Sequence, residues 1–305
     1  MKHNIKITVI VLLIFLLAQF IGIVIIYKYI DPLKSAETGK TEFKQLPIGE
    51  RPPLEEKTSF IPIIIAILIG TVILLLLMKY NLTLVWKLWF LIAVVLSLTV
   101  AWGVFVRKEI AAIIALAAGI WKIFRPNVWI HNFTELFVYG GLAAIFVPLF
   151  NIWSIVILLV LISGYDAYAV WKSKHMITLA KSQTEAKIFA GFFIPYKLGK
   201  AAGKKITGKR SADKKIGTAA PKKVLTTVKT AVLGGGDIGF PLIFAGVLLK
   251  EYGLWQSLII PFGALLGLSI LLWKGKEDKF YPAMPFISAG CFLGLLVVWG
   301  IEFFL

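Results

Sequence analysis

The chain has 305 residues, 59% of them apolar and 16% charged, and a formal net charge of +17. That apolar share lies above the range of water-soluble domains and excludes an ordinary soluble fold. The single cysteine, Cys291, excludes an internal disulfide and any cysteine-built metal centre.

In chain order the apolar residues form nine blocks: Ile7 to Tyr27, Phe60 to Met78, Leu82 to Val106, Ile110 to Trp121, Phe133 to Phe150, Ile152 to Trp171, Ala231 to Leu249, Leu254 to Trp273, and Ala283 to Phe304. Most approach the ~20 residues that cross a bilayer core, and the fourth is short. An open chain in lipid has to satisfy its backbone polar groups internally, so the blocks are predicted to be helices. The expected fold class is an all-α polytopic membrane protein with nine transmembrane helices. The first block follows Lys2 and Lys6 but is too long for a signal core and lacks a small-x-small cleavage site, so it reads as a retained anchor.

The charge follows topology. With nine spans, the even-numbered connections share a side with the N-terminus. That side carries Lys2, Lys6, Lys79, Lys122, Arg125, Lys274, Lys276, Lys279 and a dense run from Lys172 to Lys223. On the other side, the long first connection, about Lys28 to Ser59, balances its bases with Asp31, Glu37, Glu42, Glu50, Glu55 and Glu56. The positive-inside rule then places the N-terminus in the cytoplasm and the C-terminus outside the cell membrane. One membrane domain covers 1–305: spans one to six over 1–171, a basic cytoplasmic loop over 172–230, and spans seven to nine over 231–305. Within the loop, the lysine-rich part from Lys197 to Lys223 has no apolar period, whereas Ile188 to Pro195 is apolar and too short to span. The latter is expected to lie on the membrane surface or to pair as a strand. Contact of the lysines with anionic headgroups is expected, and the lack of interleaved aromatics argues against nucleic acid.

Charges inside spans are costly and therefore informative. Glu302 and Lys229 lie near block ends and can reach the interface. Lys87 and Glu135 lie near block starts, Glu135 close to His131 and Asn132, and read as interfacial or structural polar residues. Asp166 and Asp237 are different. Asp166 precedes Lys172 by six residues and Asp237 follows Lys229 by eight, so on helices the two sit roughly 9 and 12 Å below the same boundary. Two carboxyls at that level can share one proton. The ionised partner then draws a proton from an attacking water while the protonated one donates to a peptide carbonyl. Neither metal nor cofactor is needed. Charge placement alone leaves a proton relay in a membrane transporter or channel equally open.

The flanking residues shift the balance. Tyr165-Asp166, Gly234-Gly235-Gly236-Asp237 and Pro282-Ala283-Met284 resemble the YD, GxGD and PAL signatures of the presenilin and signal peptide peptidase family, with Met in the third PAL position. Lys174 to Ala180 (KHMITLA) is similar to its archaeal members. The three elements fall in order on spans six, seven and nine. The resemblance implies a presenilin-like helix arrangement and an intramembrane aspartyl protease with Asp166 and Asp237 as catalytic pair. It further implies that Tyr165, Gly234, Gly235, Gly236, Pro282, Ala283 and Met284 shape the site or bind substrate. The substrates would be transmembrane helices of other proteins, unwound and paired as a strand near the connection between spans six and seven. Part of Ile188 to Pro195, or the segment before span seven, is the candidate strand. Prepilin-type peptidases also use a GxGD aspartate, but lack the YD and PAL elements. Signal peptide peptidases share all three and sit the other way up, against the charge count here. No HExxH is present, the histidines His3, His131 and His175 are scattered, and Ser288 has no histidine after it.

Overall fold

The computed structural model describes residues 5–173, 189–197, 228–275 and 281–304. Lys2, KHMITLA, most of the lysine run, Lys276 and Lys279 lie outside the described residues. Among the described residues there are eleven α-helices, one of them only four residues long, and one two-stranded sheet. In chain order, α1 spans Ile5–Tyr29, α2 Pro32–Thr38, α3 Phe60–Lys79, α4 Thr83–Gly103, α5 Lys108–Phe124, α6 Val128–Phe146 and α7 Ile152–Tyr168. After the strands β1 (Gly191–Lys197) and β2 (Val228–Gly234) come α8 (Gly235–Glu251), α9 (Leu254–Ser257), α10 (Ile259–Lys274) and α11 (Met284–Phe304).

Among the described residues, seven stretches are helical, long and apolar enough to cross a membrane: α1, α3, α4, α6 through Leu149, α7 through Lys172, α9 with α10, and α11. The two remaining blocks, the fourth and the seventh, form α5 and α8 of 17 residues each. At 1.5 Å per residue either reaches only about 25 Å, short of a full hydrocarbon core.

Helix starts follow local chemistry. Asn151 accepts from the Ser154 N–H, and Ser154 Oγ accepts in turn from the Asn151 N–H, so a reciprocal cap opens α7. Asn127 accepts from the Trp129 N–H at the start of α6. Helix α1 lies in the core, with Phe15, Ala18, Ile23 and Ile26 buried against α6, α8 and α10. Its Gln19 is buried and donates from Nε2 to the Ile238 carbonyl of α8 at 2.9 Å. Helix α3 buries no residue and presents apolar side chains all round, as a helix bathed in lipid can.

The seventh block departs from expectation. Residues 231–234, predicted as the start of a span, belong to β2, and Lys229 lies in that strand rather than at a helix end. Two features explain the change. Ala231 and Leu233 are buried while Val232 is exposed, a strand period, and the glycines at 234–236 are poor helix formers. β1 pairs antiparallel with β2, from Gly191 opposite Gly234 to Lys197 opposite Val228. Gly191 has φ +146°, and a Cβ there would stand 2.2 Å from the Leu233 carbonyl oxygen, so the strand starts on a residue only glycine can supply.

The first connection is ordered against the far end of α8. Asp31 caps α2, Thr41 Oγ1 donates to the Lys250 carbonyl at 2.7 Å, and Lys250 Nζ pairs with Glu56 at 2.7 Å.

Helices α10 and α11 make close backbone contact. A Cβ on Gly263 would stand 2.3 Å from the Gly290 carbonyl oxygen, and one on Gly290 would stand 2.1 Å from that of Gly263. Gly263→Ala is therefore expected to push the pair apart at a cost of about 1–3 kcal/mol. A lower thermal midpoint in detergent would show it; Gly300→Ala, with nothing within 4 Å of the new Cβ, is the neutral control.

Candidate active site

The YD, GxGD and PAL-like elements lie at three helix ends. Asp166 is in the last turn of α7, Asp237 in the first turn of α8, and Met284 is the first residue of α11. The three helices pack on one another pairwise. Asp166 is buried at 5% exposure, and its Oδ2 accepts the Met284 N–H at 3.0 Å, with the Ala283 backbone close beside it. Its Oδ1 is buried without a hydrogen-bond partner among the described residues. A turn deeper, Ser163 Oγ donates to Ser288 Oγ at 2.9 Å and ties α7 to α11 again.

Asp237 is half-buried and folds back over the end of β2: a Cβ on Gly234 would stand 3.1 Å from Asp237 Oδ2. Gly235 admits the Tyr139 hydroxyl, which would lie 2.7 Å from a Cβ there, and its N–H donates to the Ala190 carbonyl at 3.0 Å. Gly236 is exposed, with only Phe240 near its missing Cβ. The glycines thus join strand to helix and allow close approach. Pro282 is buried; Ala283 and Tyr165 are half-buried. The structure therefore brings Asp166 together with Ala283 and Met284, and Asp237 together with Gly234 and Gly235.

Sequence reasoning missed what stands behind Asp237. Helix α6 presents a polar stripe of His131, Asn132, Glu135 and Tyr139. Glu135 is buried and paired with Lys122 of α5, which is also buried and not among the exposed basic residues where the charge count put it. The Tyr139 hydroxyl donates to Glu135, and Tyr139 lies within electrostatic reach of Asp237. His131 Nε2 lies 3.9 Å from Glu135 Oε1 and donates to the Gly191 carbonyl at 2.7 Å. Asn132 bonds both backbone groups of Phe193, donating from Nδ2 to its carbonyl at 2.7 Å and accepting its N–H at 3.0 Å. The i, i+4, i+8 spacing of His131, Glu135 and Tyr139 was the available signal, since it sets three polar groups on one face of an apolar helix.

Among the described residues no three His, Cys, Asp or Glu side chains are grouped to hold a metal ion.

A family model described as "Signal-peptide peptidase, presenilin aspartyl protease" matches residues 41–302. No curated protein matches the sequence. The fold is similar to that of a presenilin family intramembrane aspartate protease solved in two crystal forms. In the C222 form the TM-score is 0.61 at 18% identity, covering 96% of this chain and 99% of that one. In the P2 form it is 0.59 at 19%, covering 95% and 96%. The family match takes in every element of the site, and the chain belongs to the signal-peptide peptidase and presenilin family of intramembrane aspartyl proteases.

Proposed function

We propose that Asp166 and Asp237 are the catalytic pair and hydrolyse peptide bonds within or near transmembrane helices of substrate proteins. The observation that carries this reading is the convergence of three helix ends on one another, each bearing one element of the family's signature. One carboxylate takes a proton from the attacking water, and the other carboxyl donates to the carbonyl oxygen. The Met284 N–H holds Oδ2 of Asp166, which leaves Oδ1 for water or the second carboxyl. The pair works as a unit, so no proton belongs to one residue alone. Tyr165, Gly236 and Pro282 shape the site around it.

A transmembrane helix hides its peptide bonds in its own hydrogen bonds, and the unwound segment needs new partners. The β1–β2 sheet, continuous with the Gly234–Asp237 turn, supplies a strand edge beside the acids. In this reading α5 and α8 complete nine spans, with the N-terminus in the cytoplasm, and the lysines of 197–223 meet anionic headgroups.

The test is cleavage of a synthetic single-span peptide by purified protein in detergent, with products identified by mass spectrometry. Products cut within the apolar segment support the reading. No cleavage across a panel of such peptides, together with acid-dependent proton flux in liposomes, would replace it with the transporter alternative.

A further inference from the structure

Helices α1 and α8 run side by side in the same direction and meet in layers. Gln19 meets Ile238, a Cβ on Gly22 would stand 2.2 Å from Leu242 Cδ2, and one on Gly246 would stand 2.9 Å from Ile26 Cδ1. Steps of three or four residues keep one face of each helix in the seam. Of these three layers only the first is polar. Gln19 is fully buried, its Nε2 donates to the Ile238 carbonyl at 2.9 Å, and its Oε1 has no hydrogen-bond partner among the described residues. Stability does not explain this carboxamide. Ile238 lies inside α8, where the Leu242 N–H serves its carbonyl in the helical ladder, so the bond from Gln19 is a second one. An amide buried with one end unpaired is costly, and an apolar side chain of the same length would fill the layer without that cost.

The place that the carboxamide reaches does explain it. Ile238 follows Asp237 directly, in the first turn of α8. That turn is weak by composition: residues 234, 235, 236 and 239 are glycine, and Pro241 gives no N–H to the ladder that runs back to it. The geometry points to Gln19 as a positioning residue for Asp237: from α1 its amide pins the backbone of the turn that carries the acid, and so fixes where the carboxyl stands. This inference rests on the catalytic role proposed above for Asp237. A side chain kept for this purpose has a signature that a structural one lacks. Its removal leaves the fold as stable as before, or more so, and slows the chemistry.

The experiment measures kcat, KM and the thermal midpoint of the full chain in detergent on one single-span peptide. The variants are Gln19→Met, Pro241→Ala, the two combined, and Asp237→Asn. Gln19→Met keeps the length of the side chain and removes the donor. It is expected to lower kcat about tenfold, as a loosely held catalytic group does. KM stays unchanged, because Gln19 is buried away from substrate, and the midpoint stays or rises. A midpoint that falls with kcat makes Gln19 structural and overturns the inference, and so does a wild-type kcat. Pro241→Ala returns one N–H to the ladder, so in that background Gln19→Met is expected to cost no more than about twofold. An equal loss in both backgrounds overturns the pinning of the turn. Should Gln19→Met not fold, Gln19→Leu is read on the same three quantities; if neither folds, Gln19 is structural. Cleavage that survives in Asp237→Asn removes the catalytic reading and this inference with it. Loss there beside a wild-type kcat in Gln19→Met removes this inference alone.

Discussion

Asp166→Asn and Asp237→Asn are each expected to abolish cleavage, with a loss of about 10²–10⁴-fold or more, while the protein stays folded. The size follows from the chemistry. An amide neither takes a proton from water nor donates one in a shared-proton pair, and either loss removes the cycle. The fold is spared for a specific reason at Asp166: its Oδ2 accepts the Met284 N–H, and an Asn side-chain oxygen does the same. At Asp237 the side chain is half-buried against Gly234, where an isosteric amide fits the same space. Each variant is assayed on the single-span peptide beside its thermal midpoint. Retained cleavage in either variant would remove that aspartate from the chemistry. Loss of cleavage with a collapsed midpoint would make it structural.

How much of this was legible depended on which physical signal each residue left in the sequence. Asp166 and Asp237 stood out because an acid deep in an apolar block needs a reason, and their neighbours supplied one. Their depths were less well read. A helical rise of 1.5 Å per residue does not hold from Lys229 onward, because β2 carries the chain to Gly234 at about 3.3 Å per residue, and Asp237 opens its helix instead of lying inside it. The sheet was half visible. Ile188 to Pro195 and the segment before span seven are each strand candidates by sequence, yet nothing in a short apolar run says that the two pair with each other across the intervening loop. Composition registers the apolar blocks; it does not register partners.

The same limit hid Lys122. Near the end of a block, beside Arg125, it looked like one more cytoplasmic charge, and Glu135 looked like a polar residue near the start of the next. Thirteen residues and a helix reversal separate them, and only the packing of α5 on α6 turns two marginal charges into one buried pair. Their burial makes a large effect unavoidable. Both side chains are 1% exposed, so Lys122→Met leaves the Glu135 carboxylate in a dry site with Tyr139 as its remaining hydrogen-bond donor. Breaking a buried pair from one side costs about 3–5 kcal/mol, because the surviving charge keeps its desolvation penalty and loses its compensation. Lys122→Met should therefore lower the thermal midpoint sharply. Adding Glu135→Gln removes the stranded charge and keeps an acceptor for the Tyr139 hydroxyl, so the double variant is expected to recover most of the loss. Activity should follow stability only in part, since the Tyr139 hydroxyl lies against Gly235 and within reach of Asp237. A Lys122→Met protein as stable as wild type would mean that the buried pair adds nothing and that α5 and α6 are held by packing alone.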